Sequence, residues 1–209
     1  MFEGISTYWI FGIGLLAQLL FGIRIAIQWW ITEKKKEIVS PGIFWKFSLA
    51  GSALFLVYGV LRTDIVIIAG QIISYIIYIR NLQFKGDWYK LAGAFRMLLL
   101  SIPPLCIVWT LGMVHDVSFT SELVQDLNNL FLVGVAGQLF LNVRFVYQWY
   151  YSERRKMSLL PAGFWWLSLL GAILLAIYSI YRNDPILLLA QGVAIVPYTR
   201  NLILSTKRG

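Results

Sequence analysis

The chain of 209 residues contains little cysteine, histidine or charge. Its one cysteine, Cys106, excludes both an internal disulfide framework and a cysteine-based metal site. Its one histidine, His115, excludes a histidine-cluster metal site, and we predict neither a metal nor any other cofactor. Charged residues make up 13% of the chain, whereas a typical soluble domain has about 25%. The composition therefore excludes an ordinary soluble globular domain.

Apolar side chains take the place of the missing charge, at 59% of all residues. A helix needs about 20 residues to cross a bilayer. Seven apolar runs approach or exceed that length, at approximately 8–31, 43–61, 64–82, 91–113, 129–151, 163–181 and 184–204. Because seven spans leave no room for a soluble catalytic domain, we predict an all-α membrane protein that is not an enzyme.

The basic residues outside the spans lie almost entirely on one side of the predicted membrane. That side holds Lys34, Lys35, Lys36, Arg80, Lys85, Lys90, Arg154, Arg155, Lys156, Arg200, Lys207 and Arg208, and the other side only Arg62 and Arg182. Basic residues near span ends are retained in the cytoplasm. We therefore expect the N-terminus outside and the C-terminus in the cytoplasm. The net charge of +8 is assigned to topology and anionic lipid, not to nucleic acid.

Residues 11–82 recur as residues 131–202 at a constant offset of 120, without a gap. Each repeat contains three spans, and the fourth span restores the orientation for the second repeat. We predict a 3+1+3 arrangement: 1–85 the first three-helix repeat, 86–128 a linker with the fourth transmembrane helix, and 129–209 the second repeat. Transporters built from parallel repeats, such as the SWEETs, bind substrate at the repeat interface.

The duplicated strings RxxxQWxxSExxKxSxxPxxFW, SLxG, YxxxRxD and YxRNL resemble the lipid A biosynthesis N-terminal domain family of bacteria. Repeat 1 departs from the pattern with Thr32, Ile38 and Ile65, where repeat 2 has Ser152, Ser158 and Pro185. The family is similar to the SWEET and PQ-loop transporters, which implies a SWEET-like fold in the bacterial inner membrane. Some members are fused to the lipid A disaccharide synthase. The resemblance thus implies glycolipid metabolism, with a glycosyltransferase as a further candidate partner.

Arginines inside the spans form the core of the candidate site. Arg24 and Arg144 occupy equivalent positions within spans, whereas all ten acidic residues lie in loops or at span ends. Guanidinium binds phosphate through two parallel hydrogen bonds. We therefore expect these arginines to bind the phosphate of a lipid or lipid-linked sugar. The alternatives are that each arginine snorkels, bonds to backbone carbonyls, or is neutralised by Glu33 or Glu153.

Further polar and aromatic residues recur at equivalent positions and complete the predicted substrate-binding set: Gln28, Trp45, Gln71, Tyr78, Arg80 and Asn81 in repeat 1, with Gln148, Trp165, Gln191, Tyr198, Arg200 and Asn201 in repeat 2. Each has a structural alternative. The tryptophans could be aromatic-belt anchors, the glutamines could bond between helices, and the Arg-Asn pairs could complement helix dipoles. Asp64 and Asp184 fit helix N-caps. Ser48 and Gly51 favour close helix approach, and Pro103, Pro104 and Pro197 are candidate hinges.

Three functions are consistent with this sequence. The first is a transporter or flippase-like carrier of an anionic, phosphate-bearing lipid-linked sugar or lipid A type glycolipid, working by alternating access between the two repeats. The second is a SWEET-like transporter of a small neutral sugar. The third is a non-catalytic membrane partner that presents glycolipid to a separate glycosyltransferase. The sequence leaves the oligomeric state open.

Overall fold

The computed structural model describes residues 7–62, 65–113, 129–181 and 185–206. These residues form seven α-helices: α1 Thr7–Lys35, α2 Gly42–Leu61, α3 Ile65–Phe84, α4 Gly93–Met113, α5 Asn129–Arg155, α6 Ala162–Tyr181 and α7 Pro185–Thr206. A short 3-10 helix, Trp88–Lys90, precedes α4, and the described residues contain no strand. The prediction of an all-α protein with seven helices is confirmed.

Four of the helices are long and apolar enough to cross a membrane, judged over the described residues by length and composition. They are Tyr8–Lys35, Gly42–Leu61, Gly93–Gly112 and Ala162–Tyr181. Large apolar side chains on α4, among them Leu98, Leu105 and Val108, are exposed at the protein surface. Such continuous apolar exposure is expected where lipid is the solvent. The chain is therefore an all-α membrane protein.

Helices α1 and α5 continue four residues beyond the predicted apolar runs, through charged side chains to Lys35 and Arg155. The next residue of each, Lys36 or Lys156, has a left-handed backbone with φ of 54° or 52°. A left-handed residue directly after the last turn commonly ends an α-helix. In repeat 2 the Met157 amide then donates to the Ser152 carbonyl at 3.2 Å, which caps the helix end. The two repeats thus end their first helix in the same way.

The chain packs as two compact units: Met1–Ile27 with Pro41–Val117, and Gln28–Ser40 with Ser118–Gly209. Helix α1 therefore contributes its first part to unit 1 and its last turns to unit 2. Within unit 1, α2 packs against α3 and α4; within unit 2, α6 packs against α5 and α7. The predicted domain boundaries at 85 and 128 remain a prediction.

Glycine permits close helix approach in both units, as the sequence predicts for Gly51. A Cβ atom at Gly51 would lie 2.8 Å from the Phe21 ring and 3.3 Å from the Ala17 carbonyl oxygen of α1. At Gly171, the equivalent position, it would lie 2.9 Å from the Gly137 carbonyl oxygen of α5. Any larger side chain at these positions would force the helices apart.

Two prolines lie inside α4, which continues through both of them. A helical proline lacks the N–H that would bond to the carbonyl four residues earlier, so Pro103 leaves the Leu99 carbonyl without its helical donor. Tyr75 of α3 supplies a replacement, because its buried hydroxyl donates to the Leu99 oxygen at 2.9 Å. A side chain of α3 thus compensates for the proline in α4. The hinge roles proposed for Pro103, Pro104 and Pro197 remain predictions.

Asp87 fixes the α3–α4 connection against α2. Its carboxylate lies 2.7 Å from Lys90 Nζ and 3.1 Å from Lys46 Nζ. The Lys90 and Lys46 ammonium groups lower the pKa of the Asp87 carboxyl below its usual value. The predicted N-caps Asp64 and Asp184, together with Arg182 and His115, lie outside the described residues.

Candidate functional site

Arg24 lies at the centre of a buried cluster in unit 1, with 5% of its surface exposed. Its Nη1 donates to Ser48 Oγ of α2 at 2.8 Å and to the Tyr78 hydroxyl of α3 at 3.0 Å. The rings of Phe21, Phe44 and Tyr78 lie 4.5 Å, 5.4 Å and 5.5 Å from the guanidinium carbon. Three helices of the repeat thus converge on one cation, which its aromatic neighbours stabilise electrostatically.

Arg144 forms the equivalent cluster in unit 2, with 7% exposure. Its Nη1 donates to Ser168 Oγ at 3.1 Å and to the Tyr198 hydroxyl at 2.9 Å. Three rings, Phe145, Phe164 and Tyr198, lie 4.9 to 5.4 Å from the guanidinium carbon. The third ring comes from a different position in each repeat, since Leu141 stands where repeat 1 has Phe21. Each arginine is therefore surrounded by three aromatic rings, although one of the three comes from a different sequence position in the two repeats.

The two serines are oriented so that they accept from arginine. Ser48 Oγ donates its proton to the Phe44 carbonyl at 2.6 Å, and Ser168 Oγ donates to the Phe164 carbonyl at 2.6 Å. Each hydroxyl has one proton, so the remaining lone pairs of each serine face the guanidinium as acceptors. The sequence pattern predicted helix packing for Ser48 and did not predict this role. The recurrence of serine 24 residues after each buried arginine was the available signal.

The acidic residues nearest along the chain are engaged elsewhere. Glu33 pairs with Arg200, at 2.8 Å to Nε and 3.0 Å to Nη2, and with Lys36. Glu153 pairs with Lys156 at 2.7 Å. Among the described residues, no carboxylate lies within ion-pair distance of Arg144. The alternative that Glu153 neutralises Arg144 is therefore wrong.

Gln28 lies one turn after Arg24 but belongs to a different set of contacts, within unit 2. Its Nε2 donates to Asn201 Oδ1 at 3.1 Å, and Asn201 Nδ2 donates back to Gln28 Oε1 at 3.3 Å. Its Nε2 also contacts Thr32 Oγ1 at 2.9 Å and the Val39 carbonyl at 3.4 Å. Gln148 makes matching contacts with Ser152 at 2.8 Å and the Leu159 carbonyl at 2.8 Å. Thr32 therefore replaces Ser152 without loss of the contact.

The remaining predicted site residues divide between the two units. In unit 1, Gln71 Oε1 accepts from Ser52 Oγ at 2.8 Å, which is the interhelical bond considered as its structural alternative. Gln191 makes no side-chain hydrogen bond with described residues, and Ala172 stands where repeat 1 has Ser52. Asn81 Nδ2 donates to the Ile77 carbonyl at 2.9 Å, and Arg80 Nη1 to Gln83 Oε1 at 3.0 Å.

Trp45 and Trp165 are buried, with 0% and 2% of their surfaces exposed. Their rings lie against Tyr78 and Tyr198, at centroid distances of 6.0 Å and 6.2 Å. An aromatic-belt residue needs its ring among lipid head groups. The interpretation of these tryptophans as belt anchors is therefore wrong, and both belong to the walls of the arginine clusters.

The comparisons with known proteins agree with the duplication. The family described as Lipid A Biosynthesis N-terminal domain matches residues 13–83 and again residues 133–203. These two matches cover more than half of the chain and are offset by 120 residues. The chain belongs to this family. No solved structure matches the chain significantly.

Curated relatives are named Lipid-A-disaccharide synthase. The protein of Chlamydia pneumoniae is 31% identical over 206 residues, which are 96% of this chain and 34% of that protein. The protein of Chlamydia trachomatis serovar D is 30% identical over 217 aligned positions, covering 99% of this chain and 36% of that protein. The chain thus spans about a third of the length of these relatives.

Proposed function

From its membership of this family, we propose that the chain is a membrane carrier of an anionic, phosphate-bearing lipid-linked sugar or lipid A type glycolipid. Arg144 carries the proposal. It is a guanidinium buried in a membrane protein, with no carboxylate partner among the described residues. A buried charge without a counter-ion is costly, and an arginine inside a span is a functional candidate for that reason. A bound phosphate would supply the missing negative charge.

The surroundings of the arginines favour a phosphate over a neutral sugar. Ser168 and Tyr198 accept from Arg144 and hold it in place but bring no charge. A neutral sugar would leave the cation uncompensated, whereas a phosphate accepts two parallel bonds from a guanidinium. We extend the proposal to alternating access between the repeats, with the N-terminus outside and the C-terminus in the cytoplasm of a bacterial inner membrane. The duplicated clusters provide one arginine for each repeat.

The test is lipid crossing in proteoliposomes that contain the purified chain. The probe is a fluorescent polyprenyl-linked sugar phosphate, and a fluorescent glycosyl diacylglycerol without phosphate is the neutral comparison. A membrane-impermeant quencher reports how fast the label changes leaflet. We expect the chain to accelerate crossing of the phosphate lipid only.

Arg144→Gln should reduce that rate about tenfold or more, because one charge-assisted bond contributes about 1.5–3 kcal/mol. Arg154→Gln on the same helix is the matched control, since Arg154 is exposed and contacts only the face of Tyr150 in the described contacts. It should move lipid at the parental rate. A folded Arg144→Gln protein with parental crossing would refute the proposal, and so would a parental chain that moves neither lipid.

A second candidate is a non-catalytic partner that presents glycolipid to a glycosyltransferase. It is favoured because the relatives named Lipid-A-disaccharide synthase are about three times as long as the matched segment. This role predicts a stable complex with a separate lipid-A-disaccharide synthase, together with no lipid crossing in liposomes. Crossing without complex formation would instead favour the carrier.

A further inference from the structure

Repeat 2 contains two buried hydrogen-bond donors that meet no acceptor among the described residues. They are Nε of Arg144 and Nε1 of Trp165. Both residues are more than nine-tenths buried. A buried donor left without an acceptor costs about 1–3 kcal/mol. Two such donors within one cluster point to an acceptor that the described residues do not provide.

The two residues share their neighbours. Phe164 lies 5.4 Å from the Arg144 guanidinium carbon, and its ring centroid lies 4.9 Å from that of Trp165. Tyr198 lies 5.4 Å from the same guanidinium carbon and 6.2 Å from the Trp165 ring. Both donors therefore belong to one cluster, formed by α5, α6 and α7.

The hydrogen bonds of Arg144 leave one edge of its guanidinium for a ligand. Ser168 and Tyr198 both accept from Nη1. The edge formed by Nε and Nη2 presents two parallel N–H groups, the geometry that matches two oxygens of a phosphate. The aromatic rings over the guanidinium make an approach in its plane the natural one for an anion. The indole is a donor only, so it too requires an acceptor.

We propose that Trp165 Nε1 and the Nε–Nη2 edge of Arg144 together bind one phosphate group, with Trp165 determining specificity for it. This inference rests on the proposed function for the ligand class, a phosphate-bearing lipid. It adds a neutral donor to the charged one and assigns phosphate capture to the cluster in repeat 2. Tetrahedral phosphate has enough oxygens to accept from both residues at once.

The test is equilibrium binding to the full chain in detergent micelles, measured separately from transport. The probes are phosphatidic acid, which carries a phosphate monoester on a lipid, and inorganic phosphate. Phosphatidylcholine is the comparison with a zwitterionic headgroup. Binding of phosphatidic acid alone identifies a lipid source, and equal binding of inorganic phosphate identifies a soluble one.

Trp165→Phe keeps an aromatic ring and removes the donor, and we expect it to weaken binding about tenfold or more. Trp166→Phe is the matched control on the same helix, because Trp166 is exposed. Arg144→Lys keeps the charge but lacks the two-donor edge, so it should also weaken binding. The double variant should lose less than the product of the two single effects, because both groups bind one ligand.

The indole N–H resonance of Trp165 in the unmutated chain gives a second measurement that does not depend on the folding of a variant. Phosphatidic acid should shift it to the frequency of a hydrogen-bonded indole. An unmoved resonance, or parental binding by Trp165→Phe, would overturn the inference. If Trp165→Phe weakens binding but the parental chain moves no lipid, only the carrier function is refuted. If Trp165→Phe binds like the parent and the parental chain does move lipid, only the phosphate site is refuted.

Discussion

Tyr75 shows how one hydroxyl supports a helix that contains proline. The Leu99 carbonyl loses its helical donor at Pro103 and receives the Tyr75 proton at 2.9 Å instead. Both Tyr75 and Leu99 are buried, so water cannot easily replace that donor. The packing of α3 against α4 therefore includes a buried polar contact that the proline makes necessary.

Tyr75→Phe should lower the free energy of unfolding by about 1–3 kcal/mol, the cost of a buried carbonyl without a donor. Unfolding in mixed micelles, followed by circular dichroism, measures it. Tyr89→Phe is the control, since Tyr89 is 64% exposed, and it should leave stability unchanged. Equal stability of Tyr75→Phe and the parent would show that another group donates to the Leu99 carbonyl.

Two glycines of repeat 2 differ in how closely other atoms surround them. A Cβ atom at Gly171 would lie 2.8 Å from Leu141 Cδ2 and 2.9 Å from the Gly137 carbonyl oxygen. Nothing lies within 4 Å of the equivalent atom at Gly192 in α7. The same substitution should therefore have opposite effects in two helices of one unit.

Gly171→Ala should destabilise the chain by about 1–3 kcal/mol, because the backbone of α5 cannot yield without separating the helices. Gly192→Ala should be neutral or stabilise by up to about 1 kcal/mol, since alanine restricts the unfolded chain and favours helix. Thermal unfolding of the parent and both variants in the same detergent measures the two changes in stability. Similar destabilisation by both would contradict the close approach of α5 and α6.

The duplication predicted most of this architecture, because an offset of 120 residues requires equivalent surroundings for equivalent residues. Arg24 and Arg144 accordingly have the same serine and tyrosine partners. The sequence could not show which residues each position on a helix face contacts. Arg24 and Gln28 are one turn apart on α1, yet they belong to different units. Hydropathy also cannot separate an aromatic ring that faces lipid from one that faces protein. The burial of Trp45 and Trp165 is therefore visible only in the packing of the helices.

The division of the chain into units does not follow the repeats. Residues 28–40 precede α2 in sequence but pack with unit 2, through Gln28 to Asn201, Glu33 to Arg200 and Ser40 to Ser158. The end of the first repeat's leading helix is thus completed by the last helix of the second repeat. If the chain is cut in the linker, unit 2 can form only when both fragments are present, because residues 28–40 lie on the first fragment.

Fragments 1–120 and 121–209, produced together, should therefore purify as a complex. Glu33→Arg should reduce the recovered complex, since it opposes Arg200, and adding Arg200→Glu should restore it. The effect should weaken at high salt, because the pair is partly exposed. Lys35→Glu, an exposed charge reversal on the same helix, is the control. If the double reversal does not restore the complex, the Glu33–Arg200 ion pair does not contribute to its formation.

The contact between Gln28 and Asn201 joins residues 173 positions apart, which orders the events of biosynthesis. At about 5–20 residues per second, the ribosome needs roughly 10–35 s to add Asn201 after Gln28. During that interval Gln28 can bond to Thr32 of its own helix, but the amide that completes its buried environment has not been made. Until Asn201 is synthesised, Gln28 Oε1 lacks the hydrogen bond that Asn201 Nδ2 donates to it in the folded chain. An insertion factor that shields α1 until α7 is synthesised would prevent misassembly during that delay.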